Sequence, residues 1–389
     1  MSGRIPYGRQ DINDADVAAV IETLQSDFLT QGPAVPRFEA AVAEYCGVRH
    51  ALAVNSATSA LHIACAALGL GPGDLLWTSS ITFVASANCG RYLGADVDFV
   101  DIDPVTFNLC PERLEAKLKQ AKVDGRLPKI VIPVHMAGQS CDMEAIAALS
   151  REFGFKIVED ASHAVGGKYK GTPVGRCEFS DITVFSFHPV KIITTAEGGM
   201  VTTNDDELAA KMALLRSHGI TRAPDLMSKV PDGPWYYEQQ GLGFNYRLTD
   251  LQAALGASQM ARLDAFVAAR HALAARYDAL LSDIPVVTPY RRNDTYSAFH
   301  LYIIRVPDVA GSPNRKAVFD VMTAHNIGVN VHYIPVHTQP YWREHGHVDT
   351  HLPETEHYYR EALTLPLYPN LTHDEQRYIV DTLRGALQR

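Results

Sequence analysis

The first half of the chain alternates short, continuously apolar segments with longer segments of helical periodicity. Strands of a parallel sheet are buried on both faces and therefore appear in a sequence as unbroken apolar runs. Helical patterns include residues 36–46, residues 58–68 and INDADVAAVIETLQ, which repeats apolar residues at Val17, Val20, Ile21 and Leu24. The apolar runs between the helical patterns are LLWTSS, VDFVDID, KIVIPVH, FKIVED, ITVFSF and GMVTTN. This order predicts an α/β domain with a mostly parallel sheet covered by helices.

The pattern changes near residue 260. A long helix-forming tract starts at Leu248, and it is followed by the strand AFHLYIIRV, the helix NRKAVFDVMTAHN and the strand IGVNVHYI. A chain of 389 residues is too long for one small core and fits one large domain plus a smaller one. We therefore predict a large domain over residues 1–260 and a small C-terminal α/β domain over residues 261–389.

Composition and charge argue against several classes of protein. A formal net charge of −9 disfavours a nucleic-acid partner, because binding to phosphate backbones needs a basic surface. No apolar run approaches the roughly 18 residues of a membrane span, and MSGRIPYGRQDIND lacks the apolar centre of a signal peptide. The six cysteines form no CxxC pair and no spacing typical of a zinc site. We expect a cytoplasmic protein with reduced, mostly buried thiols, no bound metal and no membrane or nucleic-acid partner.

Lys191 lies in FSFHPVKIITTAEGGM, between Val190 and Ile192 and just after an apolar run. Most lysines are solvated surface charges. In apolar surroundings the pKa of a lysine falls, and its free amine can then form a Schiff base and move protons. The nearby Gly198-Gly199 pair supplies a permissive backbone where a ligand can approach closely. From these residues alone, a surface charge and a reactive amine both remain open.

Asp160 ends the apolar run FKIVED, and His163 follows it in DASHAVGG. In an α/β sheet, ligands bind at the carboxyl ends of the strands. Asp160 is therefore either a surface cap or the partner of a buried cation. His163 is either a neutral structural histidine or a group that hydrogen-bonds to a ligand.

The segment AVNSATSALHIACAALGLGPGD predicts a strand end, a turn of small polar residues and an amphipathic helix. The first helical amides, around Ala57, Thr58 and Ser59, have no backbone partners and lie at the positive end of the helix dipole, so they can bind a phosphate. Ordinary helix capping by Ser56 or Thr58 explains the same residues. Phe83, which follows TSSIT, is either a core residue or a ring that stacks on a flat ligand.

An ordered set of segments resembles the DegT/StrS family of sugar aminotransferases. The segments cover the chain nearly from end to end: FLTQGPAVPRFE, NSATSALHIACAALGLGPGD, TFVASAN, PVHMAGQSCDM, VEDASHAVGG, FSFHPVKIITTAEGGM, LRSHGI, LGFNYRLTDLQAALG, VHYIPVH and LPLYPNLT. The resemblance implies the type I PLP-dependent transferase fold, with a large three-layer domain, and it implies pyridoxal 5′-phosphate (PLP) as the cofactor. It also implies a homodimer with shared active sites.

The same resemblance implies roles for individual residues. Lys191 would hold PLP as a Schiff base, and Asp160 would contact the pyridine nitrogen. His163, where many members have Gln, would lie near the phenolic oxygen, and Phe83 would cover one face of the ring. The residues implied to hold the phosphate are Thr58, Ser59 and Ser186, together with Asn245 of the partner subunit. Members with histidine at the lysine position catalyse dehydration, so Lys191 favours amino transfer.

Within the family, five stretches are similar to enzymes of pseudaminic acid biosynthesis: IPYGRQ, LTQGPAVPRFE, FHPVKIITT, GPWYYEQQGLGFNYR and VHYIPVHTQPYWRE. This similarity implies amino transfer from L-glutamate to C4 of a UDP-linked 4-keto-6-deoxy-N-acetylhexosamine, giving a UDP-4-amino-4,6-dideoxy sugar. The substrate-binding residues that we expect are Tyr7, Gln31, His188, Arg247, His332 and Tyr333. Because substrate and cofactor are anionic and the chain is acidic, we expect Arg247, His188 and His332 to supply local positive potential.

Two other functions remain open. One is a 3- or 4-aminotransferase for a different nucleotide sugar, such as a GDP-perosamine synthase, because pocket shape decides which base and ring position are bound. The other is a regulator that binds PLP or a sugar nucleotide without turnover. The combination of Lys191, Asp160 and a phosphate-binding helix argues against the second.

Overall fold

The computed structural model describes residues 3–388. Its strands are β1 (His50–Val54), β2 (Leu75–Ser79), β3 (Asp96–Val100), β4 (Ile130–Ile132), β5 (Lys156–Asp160), β6 (Lys168–Tyr169), β7 (Thr172–Pro173), β8 (Ile182–Ser186), β9 (Gly199–Thr203), β10 (Ile220–Thr221), β11 (Glu238–Gln239), β12 (Thr295–Tyr296), β13 (Tyr302–Arg305) and β14 (Ala362–Leu365). Its helices are α1 (Asp14–Leu24), α2 (Ala34–Cys46), α3 (Ala57–Ala67), α4 (Ala85–Tyr92), α5 (Pro111–Val123), α6 (Met143–Phe153), α7 (Asp206–Leu215), α8 (Asp250–Met260), α9 (Leu263–Leu280), α10 (Arg315–Ala324), α11 (Pro340–Trp342), α12 (Pro353–Glu361) and α13 (His373–Leu387).

A seven-stranded sheet in the order β1-β9-β8-β5-β4-β2-β3 forms the centre of the larger part of the molecule. The pairs β2–β3, β2–β4, β4–β5 and β5–β8 are parallel. Only β9 breaks this pattern within the sheet, because it runs antiparallel to both β8 and β1. The predicted α/β class with a mostly parallel sheet is confirmed.

Helices cover both faces of this sheet, and alternate residues of β5 show the two layers. Val158 belongs to the core that includes Ile63 of α3, whereas Ile157 belongs to the core that includes Ile146 of α6. Side chains of a strand alternate between the two faces of its sheet. Burial on both faces therefore explains why the strands were apolar without alternation.

The C-terminal part has a core of its own. It is built around the antiparallel pair β13–β14 and helices α9, α10 and α13, with Ile5 from the amino terminus packed into it. The proposed boundary at residue 260 coincides with the end of α8. The assignment of residues 1–260 and 261–389 to two domains stays a prediction.

Two details differ from the sequence-based expectations. The tract after Leu248 forms two helices, α8 and α9, because the backbone leaves helical geometry at Arg262, whose φ is −111°. IGVNVHYI forms no continuous strand, because Ile327 bridges to Ile5 while Asn330 bridges to Thr364 on another segment. Neither neighbour continues the pairing for long enough to form a ladder.

No helix within residues 3–388 combines the length and apolar character needed to cross a membrane. All six cysteines are free, and only Cys177 among them is not fully buried. The buried thiols therefore agree with the expectation from the sequence.

Candidate active site

The carboxyl ends of two neighbouring parallel strands bring Asp160 and Lys191 together. Asp160 ends β5, and β8, which pairs with it, ends at Ser186 and leads into the loop that carries Lys191. The Lys191 N–H donates to the carbonyl oxygen of His188 over 2.9 Å, which closes a turn in this loop. Burial lowers the pKa of Lys191 to about 8, and the negative charge of Asp160 opposes that shift. At pH 7 roughly a tenth of Lys191 is therefore a free amine, which is far more than for an ordinary lysine.

Asp160 is a buried carboxylate that acts on Lys191 through its charge but forms no ion pair within residues 3–388. Only 5% of its surface is exposed. Its Oδ2 accepts a hydrogen bond from Ser86 Oγ over 2.6 Å, and its Oδ1 accepts one from the Ser162 N–H over 3.0 Å. No lysine, arginine or histidine of residues 3–388 forms an ion pair with it. Buried carboxylates are normally paired with a cation, so this geometry indicates that a ligand supplies the positive charge.

His163 lies against this site in a defined tautomer. Its Nδ1 accepts the N–H of Ala137 at 3.3 Å, so the ring proton is on Nε2, which donates to Tyr333 Oη over 3.0 Å. Burial lowers the pKa of His163 well below its usual value, and the nearby charge of Lys191 lowers it further. His163 is therefore a neutral donor, and within the chain it donates to Tyr333.

The predicted substrate residues Tyr7, His332 and Tyr333 form one cluster. The rings of Tyr7 and His332 are 5.4 Å apart, and those of His332 and Tyr333 are 4.9 Å apart. His332 Nδ1 lies 2.7 Å from Thr364 Oγ1. Burial lowers the pKa of His332 to about 3. His332 is thus neutral at physiological pH, and the expectation that it supplies positive potential is wrong.

Arg247 keeps its charge available. Its Nη1 donates to Ser217 Oγ over 3.1 Å, and it forms no ion pair with a carboxylate in the part of the chain that the structure describes. His188 is exposed at the turn before Lys191. Of the three side chains expected to provide positive charge, Arg247 therefore has the clearest basis for doing so.

The phosphate-binding position predicted at α3 has the required geometry. Ser56 caps the helix by accepting the N–H of Ser59 over 3.1 Å, and Ser59 Oγ donates to Asn55 Oδ1 over 2.6 Å. The N–H groups of Ala57 and Thr58, the first two of the helix, have no acceptor among residues 3–388. They lie at the positive end of the helix dipole.

Gly199 brings Ser186 close to this helix end. Gly199 pairs with Ser186 across β8 and β9. A Cβ on Gly199 would lie 2.6 Å from the nitrogen of Ala57, a separation that real Cβ atoms do not show. Because Gly199 has no side chain, the N-terminus of α3 can pack closely against β9, next to the buried Ser186 of β8.

Three other predicted residues are exposed in a single chain. Phe83 is 59% exposed, and its ring centroid is 6.4 Å from that of Tyr333, so one face is free to cover a flat ligand. The side chain of Asn245 is also exposed, although its carbonyl oxygen accepts a weak hydrogen bond from Asn55 Nδ2 over 3.4 Å. Gln31 is exposed with a left-handed φ of 56°, and no hydrogen bond joins it to the other predicted residues within residues 3–388.

The sequence-based prediction missed three residues of the site. Ser86, in the first turn of α4, donates to the carboxylate of Asp160, and Thr82, in the turn before α4, contacts Ser86; their segment TFVASAN had been noted only for Phe83. The ring of His300 contacts that of His163 at a tilt of 49°, with ring centroids 4.4 Å apart. Its strand AFHLYIIRV shows no pattern that distinguishes this histidine from a core residue.

These features fit PLP. A buried carboxylate without a cation matches a protonated pyridine nitrogen, an exposed aromatic ring matches one face of the pyridine, and free helix amides match the phosphate. The lysine with a lowered pKa lies beside them, as covalent binding of an aldehyde requires.

Comparison with known proteins agrees with this geometry. The sequence profile of the DegT/DnrJ/EryC1/StrS aminotransferase family matches residues 10–384. The spore coat polysaccharide biosynthesis protein SpsC of Bacillus subtilis (strain 168) is 40% identical over 387 residues, which cover 99% of this chain and 97% of SpsC.

Solved structures show the same likeness in three dimensions. Helicobacter pylori PseC, an aminotransferase involved in the biosynthesis of pseudoaminic acid, has a TM-score of 0.90 and 31% identity over 99% of both chains. The PLP form of Spr1654 from Streptococcus pneumoniae has a TM-score of 0.88 and 30% identity over 98% of both chains. The chain therefore belongs to the DegT/DnrJ/EryC1/StrS aminotransferase family and is a PLP-dependent sugar aminotransferase.

Proposed function

We propose that the chain transfers an amino group from L-glutamate to C4 of a UDP-linked 4-keto-6-deoxy-N-acetylhexosamine and so forms a UDP-4-amino-4,6-dideoxy sugar. The observation that carries this proposal is the structural likeness to PseC along the whole chain. Lysine at position 191, where some family members have histidine, supports amino transfer as the reaction.

The residues of the site divide the binding of PLP among them. Asp160 would hold the ring nitrogen, Phe83 would cover one face of the ring, and His163 would lie near the phenolic oxygen. Thr58, Ser59 and Ser186 would hold the phosphate. When bound, PLP supplies an electron sink that stabilises negative charge on the carbon next to the transferred nitrogen.

Lys191 is the proposed proton carrier. Because burial lowers its pKa to about 8, its free amine can accept a proton from the α-carbon of the amino donor near neutral pH. The ammonium formed would give that proton up on the cofactor side of the transferred nitrogen, and in the other half of the reaction Lys191 would move a proton in the reverse direction, to C4 of the acceptor sugar. The two substrates then use one site in turn, as ping-pong kinetics require.

The polar cluster of Tyr7, His332 and Tyr333 would contact the sugar. Its histidine is neutral, so it can donate or accept hydrogen bonds without attracting a counter-charge. Arg247 has a guanidinium without a carboxylate partner among the described residues and would bind an anionic group of substrate or cofactor. Gln31 and His188, both exposed, would contact substrate from the open side.

The open side of the site supports a homodimer with shared active sites. Asn245 is exposed, and the segment before it carries Trp235 at 71% and Leu242 at 82% exposure. Apolar side chains in such density are typical of an interface. In the proposed dimer, Asn245 of the partner subunit completes the phosphate-binding group.

The apolar stripe of α1 supports the same arrangement. Val17, Ile21 and Leu24 are each about half exposed, while the helix buries Asp16 against the chain. An apolar helix face left uncovered in one chain is expected to contact another protein surface. A second subunit would cover it.

SpsC supports a second candidate within the same class. It is more similar in sequence than PseC, and its name connects it with spore coat polysaccharide rather than pseudoaminic acid. A 3- or 4-aminotransferase of another nucleotide sugar, including one of the GDP-perosamine type, therefore belongs in the experimental comparison.

A substrate panel tests the proposal. The PLP-loaded protein is incubated with L-glutamate and with 4-keto and 3-keto sugars linked to UDP, GDP or dTDP, and both 2-oxoglutarate and the aminated ring position are measured. The proposal expects the UDP-linked 4-keto-6-deoxy-N-acetylhexosamine to give the highest kcat/KM. Preference for another nucleotide or for C3 would establish the second candidate, and absence of 2-oxoglutarate with every sugar would refute glutamate-dependent transfer.

A further inference from the structure

The carboxylate of Asp160 is held by a hydroxyl group that the proposed mechanism leaves without a role. Ser86 is fully buried, and its Oγ donates to Asp160 Oδ2 over 2.6 Å. A hydrogen bond to an ionised acceptor is about twice as strong as a neutral one, and burial strengthens it further because water does not compete. Ser86 is therefore placed to fix the orientation of Asp160 and to stabilise its negative charge.

The direction of the hydrogen bonds extends this control to Thr82. An ionised carboxylate has no proton, so the proton between Ser86 and Asp160 must come from Ser86. Thr82 Oγ1 lies 2.7 Å from Ser86 Oγ. Since the only hydroxyl proton of Ser86 is committed to Asp160, Thr82 must donate to Ser86. The result is a polarised chain from Thr82 through Ser86 to Asp160, in which each donor strengthens the next.

One short segment carries both this chain and the exposed ring at the site. Thr82, Phe83 and Ser86 all lie at the junction between β2 and α4. Thr82 is 2% exposed, whereas Phe83 is 59% exposed. The junction thus turns its hydroxyl groups inward to Asp160 and its aromatic ring outward to the ligand side.

We propose that Ser86 is a positioning residue that acts through Asp160. Its hydrogen bond stabilises the negative charge of the carboxylate, so that the proton shared with the ring nitrogen of PLP resides on nitrogen. It also fixes Oδ2, which leaves Oδ1 toward the Ser162 N–H. The inference rests on the proposed role of Asp160 as the partner of that nitrogen.

The main test compares Ser86→Ala with the unchanged protein, both loaded with PLP labelled with ¹⁵N in its ring. The ¹⁵N chemical shift and the pH dependence of the PLP absorbance report protonation of the ring nitrogen without turnover. We expect Ser86→Ala to bind PLP but to move the proton toward the carboxylate, and to lower kcat roughly tenfold to hundredfold, as loss of a charged hydrogen bond predicts. Unchanged spectra in Ser86→Ala would overturn the inference.

Three further variants separate this role from a structural one. Ser86→Thr keeps the hydroxyl group and should restore the spectrum, whereas Thr82→Val removes the relayed donor and should show a smaller shift of the same sign. Thr82→Val also carries the test if Ser86→Ala does not fold. Thr78→Val is the matched control, because Thr78 is a buried threonine of β2 whose hydroxyl donates to the carbonyl oxygen of Ile132 over 2.8 Å. It should leave both spectrum and rate unchanged.

A double-mutant cycle with Asp160→Asn decides whether Ser86 acts through Asp160. If it does, adding Ser86→Ala to Asp160→Asn should lower kcat by less than about twofold, since coupled residues are not additive. A further tenfold loss would overturn the inference and leave the role of Asp160 intact. If Asp160→Asn alone changed neither spectrum nor rate, the proposed role of Asp160 and the inference would both be refuted.

Discussion

Two adjacent carboxylates at the end of β5 are buried on opposite faces of the same sheet. Glu159 is 6% exposed and Asp160 is 5% exposed. Glu159 Oε2 lies 2.7 Å from His135 Nε2, and its other oxygen accepts the hydroxyl groups of Ser180 and Thr183. Asp160 accepts hydrogen bonds from two neutral donors and forms no ion pair within residues 3–388.

This difference shows that burial of a charge does not by itself identify a functional site. Both carboxylates have lost most of their hydration, which costs free energy unless other groups compensate. For Glu159, burial raises the pKa, but hydrogen bonds from His135, Ser180 and Thr183 outweigh it and hold the pKa below its usual value. The chain thus provides partners for Glu159 by itself, whereas our proposal assigns the counter-charge of Asp160 to the ring nitrogen of PLP.

Among the residues around Asp160, we expect Lys191→Ala to have the largest effect on amino transfer. The variant should fold and still bind PLP through Asp160 and the phosphate-binding residues, but it should lose amino transfer because the amine proposed to move the proton is gone. Turnover and the absorbance spectrum of bound PLP are the measurements. More than a trace of glutamate-dependent transfer in this variant would remove Lys191 from its assigned role.

The comparison between the two carboxylates is tested directly by the pair Asp160→Asn and Glu159→Gln. Asp160→Asn should lower the catalytic rate by more than about tenfold, which corresponds to roughly 1.4 kcal/mol of barrier, with less effect on bound PLP. Glu159→Gln should instead lower the free energy of unfolding by roughly 1–3 kcal/mol, since it disturbs hydrogen bonds to a buried charged group. When Glu159→Gln is folded and has PLP bound, its catalytic rate should stay close to that of the unchanged protein.

The two variants serve as controls for each other, because each removes one negative charge with almost no change in shape. Rates and urea unfolding curves are measured for both. A loss of rate in Glu159→Gln as large as that in Asp160→Asn would contradict the distinction between the two carboxylates, of which Glu159 is assigned a structural role and Asp160 a role in binding PLP.

A smaller effect is expected from mixing two inactive variants, Lys191→Ala and Asn245→Ala. If Asn245 completes the site of the partner subunit, a hybrid dimer carries both lesions in one site and neither in the other. Random exchange makes about half of the dimers hybrids, so activity should return to about one quarter of that of the unchanged protein. Mass spectrometry of the mixed dimers verifies exchange, and lack of recovery after proven exchange would refute the shared site.

The strands, the carboxylate at the end of β5 and the start of helix α3 could be predicted from the sequence, because each depends on a local pattern of residues. The run FKIVED ends in Asp160 in the structure as in the prediction, and helix α3 starts within one residue of its expected position. Ser86 was missed because it is 74 residues from Asp160 in the chain, so its role exists only after β2 and α4 have folded against β5. No periodicity of the sequence encodes a contact of that kind.

Helix α1 shows the converse limit. Its apolar repeat at Val17, Ile21 and Leu24 predicted a helix, and the helix is present, but these three side chains are exposed and the helix buries Asp16 instead. Asp16 accepts hydrogen bonds from Ser258, Gln259 and Arg262, which fixes that side of α1 against α8. Periodicity shows that a face is apolar, but it does not show whether the same chain or another one covers it.

The smallest expected effect concerns the stability of the protein without PLP. Burial lowers the pKa of Lys191 from 10.5 to about 8, so keeping its charge in the folded state costs stability. This cost is fully present below about pH 8, where the folded state still holds the proton, and it disappears as the pH rises toward 10.5, the value of the unfolded chain.

Lys191→Met removes the charge and keeps much of the side-chain volume. It should therefore raise Tm by a few degrees at pH 7, with a gain that shrinks above pH 8, as expected where a functional group is kept at the expense of stability. Thermal unfolding of the PLP-free proteins between pH 7 and pH 10 measures the gain, and Lys168→Met on the exposed side of β6 is the control that should show none. A difference in Tm that stays constant between pH 7 and pH 10 would show that burial does not lower the pKa of Lys191 in the folded protein.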